Sequence, residues 1–207
     1  MFEKSVEELT ELGAQITTAE IAQQPELWRD TLNIYRENKE AIEAFLAEAR
    51  AMGEGRLSVV FTGAGTSDYV GDTCAPYLRH AGNTDLYDFK PIATTDIVSA
   101  PRDFLRAEDP TLVVSFARSG NSPESLAAVA VAKELVHNVK FLNITCAPEG
   151  KLAVESADDP NALTLLIPRA NDKGFAMTGS YSCMTLLSTL ISVSYTHLRA
   201  HETSQDL

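Results

Sequence analysis

The 207-residue sequence lacks the marks of several protein classes. It has no run of about 18 apolar residues, the length a membrane-spanning helix needs. Met1–Thr10 carries Glu3, Glu7 and Glu8 and no apolar core, which argues against a signal peptide. The three cysteines, Cys74, Cys146 and Cys183, are far apart, odd in number and without a C-x-x-C pair. That pattern fits buried thiols in a reducing cytoplasm better than disulfides or zinc. Basic residues are scarce as well: 17 Lys and Arg stand against 29 Asp and Glu, a net charge of −12. Nucleic acid and anionic membrane surfaces are therefore poor partners. What remains, 44% hydrophobic and 22% charged, is the composition of a globular chain able to bury a core.

The amino-terminal quarter reads as helix. Residues 1–50 hold eleven acids and five bases. Val6, Leu9, Leu12 and Ile16 mark an apolar stripe, and Thr17 with Glu20 reads as a capping box opening the next segment. Pro25 suits the first turn of a longer helix that turns Trp28, Leu32, Tyr35, Ile42, Phe45 and Leu46 inward. From Gly53 onward short apolar and β-branched runs follow: Leu57–Phe61, Leu86–Phe89, Thr111–Phe116, Lys140–Cys146 and Ala162–Ile167. Helical stretches such as Ser67–Leu78 and Pro123–Val136 separate them. Strands alternating with helices predict βαβ units and a five-stranded parallel sheet flanked by helices, an α/β fold.

Ligands of such sheets sit at the carboxyl ends of the strands, and two strand ends stand out. Thr62-Gly-Ala-Gly-Thr-Ser67 follows the first run and leads into a helix. Its glycines permit a tight turn, and a helix start offers free N–H groups and a positive dipole end to an anion. No lysine follows, which excludes a Walker loop. The third glycine of a dinucleotide fingerprint is also absent, since position 68 is Asp and the next glycine is Gly71. Asp85 or Asp88 could still mimic its ribose-binding acid, so a nucleotide-binding enzyme is one alternative. The second loop, Ala117-Arg-Ser-Gly-Asn-Ser-Pro-Glu-Ser125, opens a helix with Ser122 as N-cap and Pro123 at the first position. One cap needs only Ser122. Arg118, Ser119, Gly120 and Asn121 are surplus to it and form a cradle suited to a phosphate monoester.

Gly-Thr-Ser after the first strand and Ser-Gly-x-Ser before a later helix resemble the sugar isomerase (SIS) domain of phosphosugar enzymes, a Rossmann-like three-layer sandwich. Glu20–Trp28, Ser115–Ser125 and Phe175–Thr178 are similar to one branch, the galactosamine-6-phosphate deaminase/isomerase family, also called tagatose-6-phosphate ketose/aldose isomerase. The resemblance spans about residues 15–191. It implies that Gly65, Thr66 and Ser67 in the first loop hold the sugar phosphate with Arg118, Ser119 and Ser122. Gly120 and Asn121 would offer backbone N–H groups, and Ala176 and Thr178 a third ligand loop. Many members have a serine where Ala117 stands. The implied chemistry converts galactosamine 6-phosphate to tagatose 6-phosphate and ammonia, and requires neither metal nor organic cofactor.

Moving a proton between C1 and C2 needs a general base. His80 and His137 are far from both loops, and Glu124 sits where a helix start favours an acid anyway. The resemblance places the base in a second SIS domain or a neighbouring subunit. The expected organisation is a helical extension at 1–50, an SIS domain at 51–192 and a non-native tail at 193–207. The tail's Val193–Thr203 looks like one reading frame of a transposon-end sequencing adapter. His197, His201 and Glu202 there lack the H-E-x-x-H order and a third ligand, so no metal site is expected. A truncated, cytoplasmic half-enzyme follows: inactive alone, binding sugar phosphate, and pairing with itself through its SIS domain. The alternative is a module that senses a sugar phosphate without turning it over.

Overall fold

The computed structural model describes residues 2–203, with side chains described as far as Ser192. The expected foreign tail and its two histidines lie outside the described side chains. Helix α1 (Val6–Glu11) and the long α2 (Gln15–Arg50) precede β1 (Leu57–Gly63), a 3-10 turn (Gly65–Ser67) and α3 (Asp68–Ala81). There follow β2 (Tyr87–Pro91), α4 (Thr94–Ser99), α5 (Pro101–Phe104), β3 (Thr111–Ala117) and α6 (Pro123–Leu135). The chain continues through β4 (Val139–Thr145), α7 (Lys151–Glu155), β5 (Ala162–Leu166), a 3-10 turn (Pro168–Ala170) and α8 (Gly179–Thr203). All five expected strands form. They make one parallel sheet in the order β2-β1-β3-β4-β5.

The two faces of the sheet are covered differently. Leu57, Val59, Phe61, Leu112, Val114, Phe116, Leu142 and Ile144 pack beneath α2, α3 and α8. Val60, Val113 and Phe141 pack beneath α4 and α6 with Ile97, Ala128 and Ala132. Burial on both sides explains why these strands are near-continuous apolar runs rather than alternating ones. The rings of Phe89, Phe61 and Phe116 stack in a row across β2, β1 and β3, with centroids 6.3 and 6.1 Å apart. Each such side chain contributes roughly 1.5–3 kcal/mol by leaving water. Near the carboxyl edge the second face turns polar, where Thr62, Ser115, Asn143 and Thr164 stand in register across four strands.

The amino-terminal stretch corrects three expectations. Its capping box is Ser5 with Glu8, at the start of α1, where each side chain bonds the other residue's backbone N–H. Thr17 and Glu20 lie inside α2, and Glu20 is directed to a partner about 150 residues away. Pro25 is likewise internal. It stands exposed, giving up one backbone donor, while Leu27 and Thr31 beyond it are buried. Of the proposed stripe only Leu9 is buried, and Val6, Leu12 and Ile16 stay exposed. Ile42, Phe45, Leu46 and Ala49 carry the far end of α2 into the same core as the sheet. There the buried Lys140 of β4 bonds Glu48 at 2.8 Å and lies over the Phe45 ring.

Candidate functional site

In this strand order the chain turns one way from β1 to β2 and the other way from β3 to β4. The crevice at the carboxyl ends of β1 and β3 is the switch point where open α/β sheets bind ligands. A cavity of about 150 Å³ lies there, lined by Ala64, Ser67, Phe116, Ala117, Arg118, Ser119, Ser122, Ser125 and Met177. It adjoins the first turns of α3 and α6, so two helix N-termini and one guanidinium face the same small space.

Four of the residues singled out in the sequence meet at this cavity: Ser67, Arg118, Ser119 and Ser122. Ser122 stands at the N-cap of α6, but its hydroxyl makes no capping hydrogen bond, so the expected cap is replaced by a hydroxyl open to the cavity. Gly65 and Gly120 have φ of +59° and +65°, the left-handed region that favours glycine. Both therefore shape their loops, and the Gly120 carbonyl also accepts the Leu152 N–H at 2.9 Å.

The other candidates face elsewhere. Gly65, Thr66, Gly120, Asn121, Ala176 and Thr178 do not line the cavity. The Asn121 N–H donates to Ser119 Oγ at 3.4 Å, and its side-chain oxygen accepts the Lys151 N–H at 3.0 Å, tying the loop to the start of α7. Ala176 is exposed. The Thr178 hydroxyl donates to Asp172 Oδ1 at 3.3 Å. Met177, between them, is the member of this third segment that reaches the cavity, 4.0 Å from Ser67 Oγ.

Two organising residues escaped the sequence reading, and a third was given another role. Asp172, 6% exposed, accepts the backbone N–H groups of Thr178, Gly179 and Ser180 at 3.0, 3.1 and 2.9 Å. It also accepts both hydroxyls of Thr178 and Ser180, so it caps α8 from six residues upstream. Its type and distance from the helix match no local capping rule. Gly150 lies so close to the second loop that a Cβ there would come within 2.3 Å of the Ser119 carbonyl oxygen. Glu20 is the third. It lies with Gln24 and Trp28 at i, i+4 and i+8 on one face of α2, and that spacing was the available signal. Glu20 binds the Lys173 and Gly174 N–H groups, while Gln24 accepts from Ser182 Oγ and the indole N–H of Trp28 donates to it. This polar task keeps Trp28 41% exposed rather than inward.

The titratable groups near the site divide into acids and inert thiols. Burial, then the charges of Asp72 and Asp96, push Asp68 from 3.8 up to about 6. Burial, reinforced by Cys183 and Asp172 and opposed by Arg118, pushes the Cys146 thiol up to about 12. Neither Asp68 nor a histidine lines the cavity, and His80, His137 and Glu124 are all exposed. Among the described residues no group of His, Cys, Asp and Glu could hold a metal ion, and no helix is long and apolar enough to cross a membrane. The cavity therefore offers hydroxyls, a guanidinium and helix N-termini to an anion.

No family model matches the sequence, but individual proteins do. D-galactosamine-6-phosphate deaminase AgaS of Shewanella sp. (strain ANA-3) is 43% identical over 188 residues, which are 90% of this chain and 48% of that protein. A candidate tagatose-6-phosphate ketose/aldose isomerase from Clostridium novyi NT superposes with a TM-score of 0.84 at 44% identity, over 92% of this chain and 47% of its own. The tagatose-6-phosphate ketose/aldose isomerase of Escherichia coli gives 0.77 at 36% identity, over 84% and 46%. The chain thus spans about half the length of the relatives it matches.

Proposed function

From the premise that this chain is a homologue, over about half their length, of the galactosamine-6-phosphate deaminase and tagatose-6-phosphate ketose/aldose isomerase family, we propose that it supplies the sugar-phosphate-binding half of such an enzyme. The single observation that carries this reading is the convergence of Ser67, Arg118, Ser119 and Ser122 on one cavity at the switch point of the sheet. Phosphate oxygens there take hydrogen bonds from the three serines and a charge-assisted bond from Arg118, between two positive helix ends. Gly65 and Gly120 hold the two loops in the required shape.

The reaction proposed is conversion of an amino-sugar 6-phosphate to a ketose 6-phosphate. After ring opening a base takes the C2 proton, giving an enolamine, and a proton is delivered to C1. Water then hydrolyses the resulting imine at C2, leaving the ketone and ammonia. None of the cavity-lining side chains is a general base at neutral pH, so this half anchors the substrate and a group from outside this cavity moves the proton.

The test is a thermal titration of the chain with D-galactosamine 6-phosphate. Ligand at one hundred times its Kd stabilises by about 2.7 kcal/mol, or roughly 5–10 °C in Tm for a domain of this size. Ser119→Ala with Ser122→Ala should abolish the shift. A shift that survives the double substitution, or none in the unsubstituted chain, overturns the assignment.

A further inference from the structure

Glu20 is an ionisable side chain that the binding reading leaves without a task, although it is only 6% exposed. Burying a carboxylate is costly unless hydrogen bonds compensate it. Its Oε1 accepts the N–H groups of Lys173 at 2.6 Å and of Gly174 at 2.9 Å. The Gly174 carbonyl in turn accepts Nη1 of Arg118 at 3.0 Å. Among the described residues that is the one side-chain hydrogen bond of Arg118, and Arg118 lines the ligand cavity. A continuous path therefore runs from α2, through two backbone groups of residue 174, to the guanidinium that lines the cavity.

We propose that Glu20 is a positioning residue: it fixes the backbone at Lys173 and Gly174 so that the Gly174 carbonyl holds the Arg118 guanidinium in the cavity. The inference rests on the sugar-phosphate reading of that cavity. Glu20 acts at a distance and does not serve as the missing base. Its own crevice is a different one, shared with Gln15, Ile16, Gln23, Arg169 and Lys173. Its Oε2 is pressed against the loop, so that a Cβ at Gly174 would come within 2.7 Å of it. A side chain at Gly174 would therefore force the Glu20 Oε2 to shift.

The requirement is an acceptor oxygen at Oε1, which an amide also supplies. Calorimetric titration of the 207-residue chain with D-galactosamine 6-phosphate therefore separates the roles. Glu20→Ala should weaken binding about as much as Arg118→Ala, by tenfold or more, the range of a lost charge-assisted hydrogen bond. Glu20→Gln should stay within about threefold of the unsubstituted chain. The Glu20→Ala, Arg118→Ala double variant should bind no worse than Arg118→Ala alone, because the two substitutions break one path. Circular dichroism checks that each variant folds, and if Glu20→Ala does not, Glu20→Leu takes its place, since it too removes the Oε1 acceptor while filling the buried space, with the same expected loss. Full affinity in Glu20→Ala beside a weakened Arg118→Ala, or additive losses in the double variant, overturns the positioning role while leaving the cavity assignment intact. Absence of binding in the unsubstituted chain removes the cavity assignment itself, and this inference with it.

Discussion

Removal of the Asp172 carboxylate should be among the most damaging single changes in this domain. Five hydrogen bonds converge on it, three from the backbone at the start of α8 and two from hydroxyls. Asp172→Ala leaves the N–H groups of Gly179 and Ser180 buried without an acceptor, since both residues are closed to water. Loss of a helix cap costs up to about 2 kcal/mol, and each buried donor left unpaired costs about 1–3 kcal/mol more. The terms overlap, so a total of about 3–5 kcal/mol is expected, a large share of the 5–15 kcal/mol by which domains are stable. Asp172→Asn makes a sharper test. An amide oxygen at the Oδ2 position keeps Thr178 N–H, Ser180 N–H and the Ser180 hydroxyl, while the amide nitrogen faces the Gly179 N–H and the Thr178 hydroxyl. About 1–2 kcal/mol is then lost. Urea denaturation, followed by circular dichroism, reads both values from the midpoints if the m-value is unchanged. A loss below about 1 kcal/mol for Asp172→Ala, or Asn costing as much as Ala, would refute the capping account.

Two further outcomes follow from the site. Asp68 is pushed from 3.8 up to about 6 in the folded chain, so its contribution to stability is complete below about pH 4 and is lost as pH rises through 6. Asp68→Asn should therefore raise Tm at pH 7.5 and lose that advantage near pH 3.5; a difference independent of pH in paired thermal melts would show that the cause is not ionisation. Gly150→Ala drives a methyl group into the Ser119 carbonyl, which should cost about 1–3 kcal/mol and weaken D-galactosamine 6-phosphate binding more than tenfold. Unchanged urea midpoint and affinity would show that the second loop yields without consequence.

The fold was legible because its signals are local. Runs such as Leu57–Phe61 and Thr111–Phe116 are apolar on both alternating faces, which suits strands covered on both sides. The loops at 62–67 and 117–122 announced themselves through glycine, serine and the Ser122-Pro123 helix start. The short helices α4, α5 and α7 escaped, because segments of four to six residues carry less than two turns of periodicity. Local rules also misled: Thr17 and Glu20 matched a capping box, although Glu20 is committed to residues 173 and 174. Thr178, which the family resemblance rather than a local rule placed in a third ligand loop, gives its hydroxyl to Asp172.

By itself, then, the sequence determined the strand set and marked the two loops, at 62–67 and 117–122, that the proposed binding reading uses. Those properties depend on neighbours within a turn or a strand, where backbone geometry fixes who meets whom. Tertiary structure alone decided that Ser67, Arg118, Ser119 and Ser122 share one cavity while Asn121 and Thr178 turn to other partners. It also decided which donors the buried side chains of Glu20 and Asp172 meet. The reason is physical: a buried carboxylate must find donors wherever the packed chain supplies them, and for Glu20 they lie more than 150 residues along the chain.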